Sequence, residues 1–233
     1  MRIQVVNPNT TRGMTAAVTR AAEAAAGGRF ELRCSQPADG PLSIETAADT
    51  IAASPHVVAE VVAGVAEGCA GHVIACFDDP AVAACREVAS GPVVGIAEGS
   101  MLAASVLGIR YGVVTTARAG IPMIEDMAVR YGLDRKLQSV RSCEMAVLEL
   151  DGSPASNARV LTAAQQVLDD GAEVVVLGCA GMAQSAVWLE SELRAPVVEG
   201  VAATVGLVYG MAAAGLRTSK LGAYAHPEGV AVR

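Results

Sequence analysis

The sequence predicts an α/β protein of two similar Rossmann-like parallel-sheet domains, related by a pseudo-twofold axis, with a cleft between them. Three observations lead there. Short Val/Ile runs alternate with Ala-rich stretches of helical length, and regular βα alternation implies parallel sheet covered by helices. Of 233 residues, 52% are hydrophobic but only 3% aromatic, the balance expected where Ala-rich helices pack on Val-rich strands. Finally, the second half of the chain echoes the first.

Taken in order, strands are expected near 2–7, 29–34, 71–76, 92–95, 110–115, 137–142, 173–178 and 196–198. Helices are expected near 10–26, 46–68, 79–89, 97–107, 120–131, 154–170, 181–193 and 200–214. The echo is specific in position. RIQVVNPNTT (2–11) resembles RYGVVTTARA (110–119), an offset of 108. HVIACFDDP (72–80) resembles VVVLGCAGM (174–182), and aligning the cysteines gives an offset of 103. GPVVGIAEGS (91–100) resembles APVVEGVAAT (195–204), an offset of 104. Three matches in one order at nearly one offset imply duplicated units. Residues 1–96 with about 205–233 are expected to form the first α/β lobe, and 97–204 the second.

Composition excludes several function classes. No apolar run approaches the roughly 20 residues that span a bilayer. The opening MRIQVVNPNT reads as a first strand rather than a signal peptide, so a cytoplasmic location is expected. With 17 Lys+Arg against 24 Asp+Glu the net charge is −7, and no basic cluster interleaves with aromatics. Nucleic acid is therefore not an expected partner, nor is a membrane. The six cysteines form no CxxC pair, and the three histidines show no metal-site spacing, so neither disulfides nor a metal is expected.

Two of those cysteines carry chemistry. Cys76 and Cys179 fall at equivalent places in the repeat, each after a β run and ahead of a helix. Ligands of open α/β sheets bind beyond the carboxyl ends of strands. A thiol there is expected to meet free N–H groups and a helix dipole, which lower its pKa from about 8.5 toward neutrality. Two such thiols facing each other suit a two-base racemase. One thiolate removes a proton from carbon, and the other thiol returns one on the opposite face. The backbone N–H groups of Phe77, Asp78, Ala180 and Gly181 are candidates to hold the developing enolate oxygen. The competing account of GCAGM is a simple tight βα turn.

Other loops are less specific. In NPNTT (7–11) Asn9 either points into the cleft or merely shapes a turn, while Thr10 or Thr11 suits a helix cap. Its repeat partner is Thr115–Thr116, whose hydroxyls suit a carbonyl or imide N–H. In PLSIET (41–46), Ser43 or Thr46 suits a cap, and Ser43 is also a candidate substrate contact. In FDDP (77–80), capping of the next helix by Asp78 or Asp79 ahead of Pro80 explains the carboxylates better than metal binding.

VVNPNTT, GPLSIE, HVIACFDDP, GPVVGIAE, VVTT and VVLGCAGM together resemble the aspartate/glutamate/hydantoin racemase superfamily, from Met1 to about Tyr224, and look closest to its hydantoin racemases. The resemblance implies two α/β domains around a cleft, catalysis by Cys76 and Cys179, no cofactor, and a homo-oligomer. It implies substrate contacts from Asn9, Ser43, Thr116 and the amides after each cysteine. Arylmalonate decarboxylases resemble the chain too but retain only the later cysteine, so both cysteines argue for racemisation. The expected substrates are 5-substituted hydantoins, with allantoin, itself a ureido hydantoin, a close second. Aspartate or glutamate would need cationic groups, and the loops named offer only Arg12 and Arg118. A non-catalytic two-lobed binding module would not need either cysteine. A redox enzyme would need a resolving thiol, and Cys85 lies too far along its helix from Cys76.

Overall fold

The structure is a computed structural model that describes residues 1–227. Eight strands and eight α-helices alternate: β1 (Arg2–Val6), α1 (Arg12–Ala26), β2 (Glu31–Ser35), α2 (Ala47–Ala66), β3 (Gly71–Ile74), α3 (Val82–Val88), β4 (Val93–Gly95) and α4 (Ile96–Leu107). There follow β5 (Tyr111–Thr115), α5 (Ile121–Arg130), β6 (Leu137–Ser142), α6 (Pro154–Asp169), β7 (Val174–Leu177), α7 (Ala186–Leu193), β8 (Val197–Glu199) and α8 (Gly200–Ala213).

The strands form two four-stranded sheets, ordered β2-β1-β3-β4 and β6-β5-β7-β8, and every pairing is parallel. The order is the same in both, as duplication requires. β1 and β3 are inner strands buried on both faces, so that even Gln4 and His72 within them are fully buried.

A large apolar core lies between the sheets, joining Ile3, Val5 and Val73 of the first to Tyr111, Val113, Val174 and Val176 of the second. Ile96, Met101, Val201 and Val205 of α4 and α8 fill it. Smaller cores back each sheet, one around Val57, Val61 and Ile74, the other around Val160, Val167 and Leu177. The connecting helices cross over. α4, which leaves the first sheet, packs on β7 and α5, while α8, which leaves the second, packs on α1 and β3. Of the stretch 205–233 expected in the first lobe, residues 228–233 lie outside the described residues.

Two helices start three or more residues later than expected. The helix expected from 79 starts at Val82, because Asp79 and Ala81 take left-handed backbone, φ 45° and 58°. The helix expected from 181 is a 3-10 turn over Ala180–Ser185, and α7 follows it. Nor do the threonines of NPNTT cap α1 with their side chains. Thr11 Oγ1 donates to Leu42 O at 2.7 Å and Thr10 Oγ1 to Pro41 O at 3.3 Å, which ties that loop to 41–42. Thr46 does cap α2, in a reciprocal box with Asp49. No helix among the described residues is long and apolar enough to cross a membrane.

Candidate active site

β3 ends at Ile74 and β7 at Leu177, so Cys76 and Cys179 each lie two residues past the end of an inner strand. Both line one narrow cavity of about 50 Å³ between the sheets' carboxyl ends, with Asn9, Asp78, Thr115, Thr116, Phe77 and Ala180 among its walls. Gly178 precedes the second cysteine because a side chain there would put Cβ 2.7 Å from Val114 O of the neighbouring strand. The turns match as well. Asp79 N–H donates to Cys76 O at 3.1 Å, and Met182 N–H donates to Cys179 O at 3.0 Å.

The amides after the cysteines divide in two. The Asp78 amide draws the Cys76 pKa down and the Gly181 amide that of Cys179, each favouring the thiolate. These two donors therefore serve sulfur. Phe77 and Ala180 remain on the cavity wall, whereas Gly181 lines a neighbouring surface groove instead.

The thiols are not acidified as the sequence suggests. Burial pushes Cys76 well above the ordinary thiol range, and the Asp78 carboxylate and Cys179 push it further, against the pull of the Asp78 amide. Burial likewise pushes Cys179 up to about 12, against the pull of the Gly181 amide. The physical reason is that neither cysteine abuts an α-helix N-terminus. α3 begins only at Val82, and only a 3-10 turn follows Cys179. Desolvation of the thiolate then decides the direction.

Asn9 is buried beside the cavity. Its Oδ1 accepts from Thr11 N–H at 2.9 Å and from Asn7 Nδ2 at 3.0 Å, and no group among the described residues accepts from its Nδ2. Thr115 ends β5, and Thr116 follows it with its carbonyl held by Met145 N–H and Ser142 Oγ. The structure does not bring Ser43 to the cavity; its hydroxyl donates to Glu45 Oε1 at 3.0 Å, and Ile44 and Glu45 line the wall in its stead. Neighbour residues on one loop are not separable by composition, so spacing alone missed them.

Asp78 and Asp79 do not cap the helix that follows them. Asp78 lines the cavity, accepts from Thr50 Oγ1 at 3.0 Å, and is pushed up to about 6 by burial. Asp79 reaches α4 instead, accepting from Ala97 N–H at 3.0 Å and Glu98 N–H at 2.9 Å. Arg118 points away, paired with Glu144 and with an 81% exposed side chain. A larger groove of about 730 Å³ shares no lining residue with the cysteine cavity, and its Arg118 and Arg141 are neutralised by Glu144 and Asp170. Among the described residues no group of three His, Cys, Asp or Glu side chains is arranged to hold a metal ion.

The chain is similar to known proteins over nearly its whole length. The family model described as Asp/Glu/Hydantoin racemase matches residues 3–208. A hydantoin racemase of Rhizobium meliloti is 39% identical over 229 residues, covering 97% of this chain and 95% of the relative. One from Pseudomonas sp. (strain NS671) is 40% identical over 230 residues, covering 98% and 92%. The structure of an allantoin racemase from Klebsiella pneumoniae superposes with a TM-score of 0.95 at 39% identity, covering 99% of this chain and 95% of that one.

Proposed function

Because the chain belongs to the Asp/Glu/hydantoin racemase family, we propose that it racemises hydantoin-ring substrates by moving one proton between Cys76 and Cys179 without a cofactor. The observation that carries this reading is the equivalence of the two thiols, each two residues beyond an inner strand and lining one cavity.

In the proposed reaction the substrate lies between the sulfurs. The thiolate on one side takes the C5 proton, giving a planar enolate with its charge on the neighbouring carbonyl oxygen. The thiol opposite then protonates the other face of C5, and the product is the mirror image. Electrons and protons balance, since one proton leaves a carbon and one returns. A like charge on both sulfurs is disfavoured in so enclosed a space, which keeps one of them in the acid form. Asp78 and Gly181 N–H steady whichever sulfur is anionic. The Phe77 and Ala180 amides, with Asn9 Nδ2 and the Thr115 and Thr116 hydroxyls, are assigned to the ring carbonyls and N–H groups.

Charge supports a neutral substrate over a dicarboxylic amino acid. The cavity wall includes two acidic side chains, Glu45 and Asp78, and, among the described residues, no Lys or Arg. Such a wall repels carboxylates and accepts hydrogen bonds from imide or ureido N–H groups. That suits 5-substituted hydantoins and allantoin alike, and the likeness to racemases of both kinds favours neither. The deciding experiment incubates the protein with single enantiomers of 5-substituted hydantoins, allantoin and aspartate while optical rotation is followed. Decay of rotation with a hydantoin or allantoin, and none with aspartate, is expected. Racemisation of aspartate alone would overturn the substrate reading.

A further inference from the structure

The two cysteine turns, Cys76–Asp79 and Cys179–Met182, close through the same backbone hydrogen bond but carry different side chains after the cysteine, and the fourth position sets them apart. Asp79 closes the Cys76 turn and Met182 closes the Cys179 turn, each through its N–H to the cysteine carbonyl. Met182 is simply buried in the apolar core of the second lobe. Asp79, at 8% exposure, holds its carboxylate among three donors: Ala97 N–H, Glu98 N–H and the Tyr131 hydroxyl, the last at 2.7 Å.

The helix ends differ in a complementary way. α8 is capped by its own N-cap residue, Glu199, which accepts from Val201 N–H at 2.8 Å and Ala202 N–H at 2.7 Å. At the matching place α4 has Gly95, and a Cβ there would sit 2.0 Å from Asp79 Oδ1. The cap of α4 has thus moved onto the cysteine turn, and Gly95 makes room for it. Asp79 makes this reach from left-handed backbone, φ 45°, which is uncommon for a non-glycine residue. Tyr131 stands at the end of α5, whose first turn supplies Met123 and Ile124 to the opposite wall of the cavity.

We infer that Asp79 and Tyr131 form a positioning clamp for Cys76, locking its turn to the start of α4 and to the end of α5 and so fixing how far its sulfur reaches toward the substrate. The clamp acts on one face only, because the Cys179 turn has no such carboxylate. Tyr131 and Asp79 are positioning residues and touch no reacting atom. The inference rests on the two-thiol reading above, and its test separates the two.

The test uses Cys179→Ser and Cys76→Ser as backgrounds, each leaving one thiol, with deuterium uptake at C5 of each enantiomer of 5-methylhydantoin followed by NMR in D₂O. Adding Tyr131→Phe, which keeps the ring and removes the hydroxyl, should slow exchange through Cys76 in the Cys179→Ser background by about tenfold. The same addition should change exchange through Cys179 by less than about twofold, and KM should hold in both. Asp79→Asn should act in the same direction and more strongly. Its fold is checked by whether exchange through Cys179 survives in the matching background. Equal slowing of both backgrounds by Tyr131→Phe, or slowing of neither, overturns the clamp. If the single-cysteine backgrounds themselves exchange no proton, the two-thiol reading fails before Tyr131 is touched, and the clamp falls with it.

Discussion

A charge on Cys179 makes the Cys76 thiol harder to ionise, although the two residues lie 103 positions apart in the chain. That coupling follows from two matching strand ends meeting at one cavity. In a two-base racemase it is useful, since it keeps one partner an acid while the other is a base.

The first prediction is a pH profile. Both thiols are raised by burial, Cys179 to about 12 and Cys76 well above the ordinary range. Below its pKa, the thiolate fraction grows tenfold per pH unit. The value of kcat/KM reports ionisations of the free enzyme, so it should climb steadily from neutral to alkaline pH after subtraction of the uncatalysed rate. A bell centred near pH 7 would show instead that one thiol is already ionised there.

A second prediction concerns Asp78. Its carboxylate faces the cavity and raises the Cys76 pKa. Asp78→Asn keeps an acceptor for Thr50 but removes the charge. The alkaline limb of kcat/KM should move to lower pH, while KM for hydantoins rises through loss of a strong acceptor. An unmoved limb would remove Asp78 from the electrostatics of the thiols.

Thr116→Val tests the polar wall. Leaving a buried ring group unpaired should weaken binding by about 1–3 kcal/mol. Steady-state kinetics with unchanged KM and kcat would take Thr116 out of the site.

A stability prediction follows from His72. It is fully buried, its Nδ1 lies 2.7 Å from Gln4 Oε1, and its Nε2 has no partner among the described residues. Burial lowers its pKa from 6.5 to about 4. Because the folded pKa is depressed, the unfolded chain binds the proton first as pH falls. Stability is therefore full above about pH 6.5 and declines toward pH 4, by about 3 kcal/mol. Urea unfolding at several pH values should show this loss shrinking in His72→Gln, which keeps a donor toward Gln4. An equal acid loss in that variant would assign it to other groups.

What the sequence made legible is what depends on local pattern. Runs bearing Val or Ile mark most of the strands, although β2 (ELRCS) has neither, and the repeat pairs Cys76 with Cys179. What it hid depends on distant partners. Asp79 caps a helix whose N–H donors lie 18 and 19 residues further on, so nothing near FDDP announces it. A helix dipole is read from adjacent residues, whereas the desolvation that raises both thiols comes from packing by the whole fold. Ile44 and Glu45, not Ser43, line the cavity because a loop's facing residue is set by its anchors, here Thr10 and Thr11 holding Pro41 and Leu42.

The most direct test of the two-thiol account is proton exchange in Cys76→Ser and Cys179→Ser, measured separately. A serine hydroxyl is too weak an acid to replace either thiol near neutral pH, so each variant should lose racemisation almost completely. Each should still exchange the C5 proton for deuterium through its surviving cysteine, from one enantiomer only, and the two variants should prefer opposite enantiomers. The double variant should fall to the solution rate. If both single variants exchange the same enantiomer, or if either racemises at nearly the wild-type rate, Cys76 and Cys179 are not the opposed acid–base pair.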